Sequence, residues 1–285
     1  MVREFSLLNE ANQKFSLMDM KNYCLLTEPS GLGMSFNTDY AQLGNVFVTN
    51  FRKIEQGKIA GIANFLNYDN YKKLVDFIEK AQSLKILYTI PYKSGLKSFY
   101  RDVAVLDLGK TELGNETGIL SESITFDCLS LWYEPKQIIY TMEQGTQEII
   151  WDFEWDSRWI GFNTSNIEFT NEGHIPASIQ LDINGEVVNP TLDLYVEGEL
   201  VQTINITNQI SEGQVFKYSS KENDFYIKKK LANGTEQDLF NLDAINFNQD
   251  LIIRLPQNKT SSLKITATGD IPSAILTIFV YYKAV

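Results

Sequence analysis

One amphipathic helix signal, in a chain otherwise patterned for strands, is the feature that most constrains the fold. Across residues 67–82 the apolar side chains recur at spacings of three and four, which places them on one helical face. Asn67 or Asp69 is expected to cap the start of this helix, since short polar side chains bond the free N–H groups there. We therefore expect one helix packed against a β-sheet.

Strand signals fill the rest of the sequence. In the first half, residues 99–108 alternate in polarity, and residues 120–132 form a second long strand candidate. In the second half, short apolar runs are separated by glycines, and residues 251–255 are among the predicted strands. Short strands punctuated by turns at intervals of about 8–12 residues are typical of sandwiches. The fold is predicted to be mainly β.

The length of 285 residues, with 44% hydrophobic side chains, provides enough material for two cores. Glu134 and Pro135 end the strand pattern of the first half, and the boundary is expected within residues 134–148. We divide the chain into domains at residues 1–138 and 139–285. Because no Pro-, Gly- or Ser-rich linker separates them, the hinge is expected to be short.

Charge and composition exclude several classes of partner. The net charge of −11 argues against nucleic acid, because phosphate binding needs clustered Lys and Arg. No apolar run reaches the roughly 20 residues of a membrane span. The N-terminus lacks the apolar core of a signal peptide, so we expect synthesis in a cytoplasm without general secretion. Cys24 and Cys128 are interpreted as buried free thiols, although a bridge between them remains open.

The residues needed for catalysis are missing from the sequence pattern. His174 is the only histidine, and it lies in a loop-like stretch, so it is unsuited to activating a serine or cysteine nucleophile. No Gly-x-Ser-x-Gly elbow or Walker-type loop occurs, and Gly31-Leu32-Gly33 lacks the rest of a dinucleotide fingerprint. The sequence predicts no enzyme, no cofactor and no metal site.

One cluster of acids and tryptophans keeps two alternatives open. Asp152, Glu154 and Asp156 alternate with aromatic residues, and paired acids beside aromatics can hydrolyse glycosides. In an extended strand the three acids would share one face, which favours a half-buried strand with an acidic outer surface. Weak sugar stacking by Trp151 and Trp155 is the other alternative, and it would make the protein a carbohydrate-binding module that assists adhesion to the host cell surface.

Two series of short motifs resemble a known family in their order along the chain. In the first half the motifs precede a glycine-bearing strand pair and the helix, and they are Arg3-Glu4-Phe5, Phe15-Ser16-Leu17, Pro29-Ser30-Gly31-Leu32-Gly33 and Asn37-Thr38-Asp39-Tyr40. In the second half they are Asn171-Glu172-Gly173-His174-Ile175-Pro176, residues 179–185 and Asn189-Pro190. The first series resembles the N-terminal belt domain of phage distal tail proteins, and the second is similar to the opening of their C-terminal galectin-like domain.

This resemblance implies a fold, an assembly and a location. The fold would be a split-barrel-like β belt domain with one packed helix, followed by a galectin-like β-sandwich. The assembly would be a homo-hexameric ring in the virion, at the tail tip, assembled in the cytoplasm of the host bacterium. It would join the major tail tube protein to the tail-associated tip protein and, in some phages, to receptor-binding proteins. Sugar binding is not carried over, because Asn189-Pro190 is followed by Thr191 where galectins have Arg.

Two polar segments between predicted strands are candidates for contacts within such a ring. They are residues 93–100 and residues 109–118, which we expect to be uncovered edges or loops. The individual candidates are Lys93, Tyr100, Lys110 and Glu112.

Overall fold

The computed structural model describes residues 3–112, 118–140, 162–240, 245, 249–268 and 273–285. The chain divides into two compact units, the first made of Met1–Glu134 with Tyr282–Val285, and the second of Pro135–Tyr281. The sequence-based boundary at 138/139 lies close to this division, whereas the placement of the C-terminal residues in the first unit was not foreseen. The roles assigned to the two predicted domains stay predictions.

The described part of the chain contains one helix and is otherwise built from strands, so the mainly β prediction is confirmed. The elements that begin in the first unit are β1 (Glu4–Asn9), β2 (Lys14–Ser16), β3 (Leu25–Ser30), β4 (Phe36–Leu43), β5 (Val46–Ile54), β6 (Lys58–Phe65), α1 (Tyr68–Lys80), β7 (Leu84–Tyr92), β8 (Gly95–Leu108), β9 (Leu120–Cys128) and β10 (Trp132–Tyr140).

The first unit is organised around the long strand β8. Its residues 95–103 pair with β7, and its residues 103–108 pair with β9, all antiparallel. On one side the order continues from β7 to β1 and β2, and on the other from β9 to β6 and β3. A bulge at Leu106 bends β8, as bulges do, between these two sets of strands.

Helix α1 closes the core of the first unit, as the periodicity predicts. The Asn67 side chain accepts a hydrogen bond from the backbone N–H of Asn70, which satisfies one free donor of the first turn. Leu74 is completely buried, and Phe77 packs against Phe15 from β2. The core beneath the helix is made of the apolar faces of the strands, with Phe5, Leu7, Ile59, Phe65, Ile86, Phe126 and Trp132 among its buried members.

The second unit consists of two antiparallel sheets, each with alternating buried positions. Its strands are β11 (Phe162–Thr170), β12 (Ser178–Asn184), β13 (Val187–Val196), β14 (Glu199–Asn205), β15 (Gln209–Ile210), β16 (Val215–Lys221), β17 (Asp224–Lys230), β18 (Glu236–Asp238), β19 (Thr260–Thr268) and β20 (Ser273–Tyr282). One sheet has the order β11-β19-β13-β14 with β15 also on β13, and the other has β20-β12-β16-β17-β18. Alternation of this kind buries one face of each sheet.

The prediction of a strand at residues 251–255 is wrong. Only Leu255 forms a bridge, with Ala177. The buried hydroxyl of Tyr218 donates a hydrogen bond to the carbonyl oxygen of Leu251 and accepts one from the N–H of Ile253. A side chain from another strand therefore satisfies backbone groups that a sheet partner would otherwise satisfy.

Candidate interface site

A two-stranded sheet, made of β4 and β5 and called the arm below, stands apart from the other strands of the first unit. Its strands pair only with each other among the described strands, from Phe36 opposite Ile54 to Leu43 opposite Val46. The two-residue turn begins at Gly44, whose φ of +61° suits the first central position of a hairpin turn. Every side chain of the arm is exposed or half-buried.

The two faces of the arm follow from the pairing register. Direct partners share a face, so Leu43 and Val46 lie together, as do Ala41 and Val48. A bulge between Asp39 and Tyr40 shifts the register by one residue. Residues three apart in a regular strand lie on opposite faces, but the bulge brings Phe51 onto the face of Val48. The face defined by Ala41, Leu43, Val46, Val48 and Phe51 is called the tip face.

The opposite face of the arm is also partly apolar. Phe47 lies opposite Gln42, and Tyr40 lies opposite Thr49. Phe47 is 70% exposed, while Leu43 on the tip face is 62% exposed. A hairpin in a globular domain normally buries one face, whereas this arm presents large apolar side chains on both.

The arm lacks the side chains that usually prevent an exposed strand from pairing with another chain. Residues 40–50 contain no charged side chain, whereas natural edge strands carry Lys, Pro or inward charges that block pairing with other chains. An isolated hairpin is marginally stable in water, and an uncharged apolar one is prone to aggregate. The charges of the arm lie near its base, where the Arg52 guanidinium carbon is 3.7 Å from the centre of the Phe36 ring. Among the described residues, the arm is therefore the candidate interface.

The residues predicted as contacts lie elsewhere in the first unit and fall into two places. Lys110 and Glu112 meet at Tyr68: the Lys110 ammonium nitrogen lies 4.4 Å from the ring centre, and the Tyr68 hydroxyl donates to Glu112 over 2.9 Å. Lys93 is exposed in the turn between β7 and β8, and Tyr100 is half-buried against Tyr133 with ring centres 5.9 Å apart. Their part in an assembly stays a prediction.

Neither cysteine offers a reactive thiol. Cys24 and Cys128 are buried free thiols. Burial raises the pKa of Cys24 to about 12, and it raises the pKa of Cys128 although the nearby Arg101 guanidinium opposes the shift. A thiol is nucleophilic as the thiolate, so both are inert near neutral pH. The backbone N–H of His174 donates to the carbonyl oxygen of Tyr281 at the end of β20, which fixes this loop.

Trp151, Trp155 and the acids Asp152, Glu154 and Asp156 lie outside the described residues, so the sugar-stacking and hydrolase alternatives stay untested. In the described part of the second unit, an open groove of about 490 Å³ runs beside β14. Its lining is aliphatic and charged, and it includes Val196, Val201, Arg254 and Lys259 but no aromatic side chain. Ligand pockets are usually rich in aromatic side chains, so this groove adds no support for sugar stacking.

The described part of the chain holds neither a metal-ligand cluster nor a membrane-crossing helix. No group of three or more His, Cys, Asp or Glu side chains is arranged to hold a metal ion within the ranges described above. Over the same ranges, no helix has the length and apolar character needed to cross a membrane.

Sequence comparison places the first unit beside proteins of phage tails. Residues 4–129 match the family described as Distal tail protein, N-terminal domain. The Distal tail protein of Lactococcus phage p2 is 29% identical over 126 residues, which cover 43% of this chain and 42% of the relative. That of Lactococcus phage SK1 is 29% identical over 146 residues, which cover 49% and 48%. The matched region thus spans less than half the length of either relative.

Structural comparison extends the likeness to the whole chain. A chain from the structure of the phage P2 baseplate in its activated conformation with Ca has a TM-score of 0.68 at 16% identity, with both chains covered completely. The SPP1 Dit protein, described as a paradigm of hub adsorption apparatus in Gram-positive infecting phages, has a TM-score of 0.58 at 12% identity, covering 96% of this chain and 98% of that one. At these identities the likeness shows a shared fold.

Proposed function

We propose that this chain is a member of the distal tail protein family, whose N-terminal domain matches residues 4–129, and that it is a non-catalytic hub that forms a hexameric ring at the tip of a phage tail. The observation that supports the ring is the arm. A closed ring of identical copies uses a heterologous interface, in which one surface of each copy meets a different surface of the next. An arm with two apolar faces is suited to be one of those surfaces.

The energetics favour a lasting assembly over a transient one. Fully covering one large apolar side chain contributes about 1.5–3 kcal/mol, and the arm exposes six such side chains: Tyr40, Leu43, Val46, Phe47, Val48 and Phe51. Association costs on the order of 4–15 kcal/mol in lost freedom of motion. The apolar area of the arm is therefore of the size needed to offset that cost, and closure also covers strand edges that invite unwanted pairing.

The two units take different roles in this proposal. The first unit, with its arm, forms the ring that joins the major tail tube protein to the tail-associated tip protein. The second unit, with its two antiparallel sheets, is a galectin-like sandwich that presents receptor-binding proteins in phages that carry them. The protein works in the virion after assembly in the cytoplasm of the host bacterium.

Light scattering coupled to size-exclusion chromatography tests the oligomer. The expected result is a species of about six times the chain mass of 32.6 kDa that persists on tenfold dilution. A mass of one chain at every concentration, also after addition of tail tube and tip proteins, would contradict the proposal. The same measurement on the variant Lys110→Ala/Glu112→Ala tests two of the contacts predicted from the sequence. An unchanged mass would exclude these two residues as ring contacts.

A further inference from the structure

The first unit is made of two stretches of the chain, residues 1–134 and 282–285, so the second unit is joined to it at two points. One connection is the peptide bond between Glu134 and Pro135, and the other is the bond between Tyr281 and Tyr282. Both bonds lie inside strands, because β10 runs through the first and β20 ends at the residue after the second. Neither connection therefore contains a flexible linker of the kind that lets domains turn freely.

On the side of the first unit, the residues after the second connection are bonded to those before the first. The Tyr282 hydroxyl donates a hydrogen bond to a carboxylate oxygen of Glu134 over 3.2 Å. The Tyr282 ring meets the buried Phe99 edge-on, with ring centres 5.4 Å apart. Val285 also packs against the core of this unit. The two connections are therefore held together where they enter the first unit.

On the side of the second unit, the loop of residues 171–175 contacts both connections. The backbone N–H of His174 donates to the carbonyl oxygen of Tyr281 over 2.8 Å. The Glu172 carboxylate lies 3.7 Å from the ammonium nitrogen of Lys136, the second residue of this unit. One loop thus contacts both strands within two residues of the points where they leave the second unit.

The loop is fixed in this position by the side chain of Asn171, which is completely buried. Its amide nitrogen donates to the carbonyl oxygens of Ile175 and Leu255, each over 3.0 Å, and its amide oxygen accepts from the N–H of Gly173 over 2.9 Å. A buried amide that is bonded in this way holds the surrounding backbone in one conformation.

Gly173 allows the loop to lie directly against β20. A Cβ atom at this position would be 2.7 Å from the carbonyl oxygen of Tyr281 and 2.9 Å from a side-chain carbon of Val280. Any side chain larger than hydrogen would therefore push the loop away from β20 and break the bond from His174. The ion pair of Glu172 is largely exposed and contributes little by itself, so the close backbone contact holds the loop in place.

We propose that residues 171–175, called the latch, act together with Tyr282 to make the two connections one double-stranded tether. A unit that is joined by one chain can rotate about the bonds of that chain. Two connections that are held together on both sides cannot twist about each other unless those bonds break. The tether thus restricts rotation of the second unit relative to the first. It is a property of a single chain and does not depend on the proposed ring.

Pulsed electron–electron double resonance on the full chain tests the tether. Spin labels are attached at Lys72→Cys, which is exposed on α1 of the first unit, and at Leu200→Cys, which is 54% exposed in the second unit. The native cysteines are buried with raised pKa and stay unlabelled. Labelled chains are refolded together with an excess of unlabelled chains, so that the distances measured lie within one chain. We expect a single narrow distance distribution.

Gly173→Ala in the labelled chain is the main variant. We expect it to broaden the distance distribution by at least about twofold, because the latch no longer holds β20. The matched control is Gly33→Ala, since an added Cβ atom there would meet no atom within 4 Å. Its distribution is expected to equal that of the unmodified chain.

A milder double variant keeps the test decisive if Gly173→Ala does not fold. Glu172→Ala/Tyr282→Phe removes one ion pair and one hydrogen bond of the tether and keeps the aromatic ring. It is expected to broaden the distribution. Its control is Glu222→Ala, which removes a similarly exposed ion pair with Arg254 that involves neither connection.

The outcomes separate this inference from the proposed function. An unchanged width in folded Gly173→Ala, or in the double variant, would overturn the tether. An unmodified chain whose distribution is already as broad as that of Gly173→Ala would overturn it as well. A single-chain mass in light scattering would instead contradict the proposed ring and leave the tether standing.

Discussion

The triple variant Val46→Ser/Phe47→Ser/Val48→Ser is expected to convert the oligomer into single chains. These three residues follow the hairpin turn and are exposed on both faces of the arm. Replacing them with serine removes about 3–4 kcal/mol of apolar contact from each interface, which weakens association by two to three powers of ten. The loss is repeated at every interface of a ring, so assembly should fail at micromolar concentration.

Two measurements distinguish this effect from unfolding. The thermal unfolding midpoint of the triple variant is expected to stay within about 2 °C of that of the unmodified protein in its single-chain form. The reason is that exposed substitutions usually change stability by less than about 0.5 kcal/mol. The control Leu200→Ser/Val201→Ser removes exposed apolar side chains from the second unit and should leave the mass unchanged. An assembled triple variant, or an equally disrupted control, would show that the arm is not the interface.

Substitution of Gly31 by alanine is expected to destabilise the first unit severely. Gly31 has a φ of +76°, and a Cβ atom there would overlap the carbonyl oxygen of Lys58 at the start of β6. A left-handed backbone already disfavours alanine, and the overlap forces β3 and β6 apart, so we expect a loss of at least about 2 kcal/mol. The carbonyl of the next residue, Leu32, accepts a hydrogen bond from the indole N–H of the buried Trp132. A displacement of the loop would therefore move Trp132 as well.

Gly33→Ala is the matched control for this prediction. Gly33 lies two residues further along the same loop, and a Cβ atom there would meet no atom within 4 Å. Its substitution should change the free energy of unfolding in urea by less than about 0.5 kcal/mol. Equal losses for the two alanine variants would contradict the stated role of Gly31, which is close approach to the backbone of β6.

Local patterns in the sequence predict the parts of this fold that local physics determines. Helix α1 was predicted because a 3.6-residue period and a capping Asn67 both lie within one short segment. The strands of both units follow from alternation, which says which residues share a face. Pro29, Gly31 and Gly33 predict a loop, but Pro29 and Ser30 belong to β3 and the loop begins at Gly31. Only the approach of Lys58 distinguishes Gly31 from Gly33.

Structural features that depend on contacts between residues far apart in sequence were not predicted. Residues 251–255 have the composition of a strand, but the Tyr218 hydroxyl from β16 binds their backbone instead. The contacts of Lys110 and Glu112 with Tyr68 could not be predicted from the sequence. Periodicity in a strand shows its faces but not whether anything covers them.

The arm was not predicted as an interface from the sequence. The contact candidates predicted from the sequence lie in the polar segments around Lys93 and Lys110, and their part in an assembly stays a prediction. The usable signal was the run of residues 40–50 without any charge around a hairpin turn at Gly44. Such a run indicates an interface when no other strand pairs with it, and pairing is a property of the fold.

Electron microscopy of the purified full-length protein tests the central claim most directly. We expect class averages of a closed ring of six copies around a central channel, which the triple variant at residues 46–48 does not form. Particles of a single chain in the unmodified protein, or rings that persist in the triple variant, would contradict it.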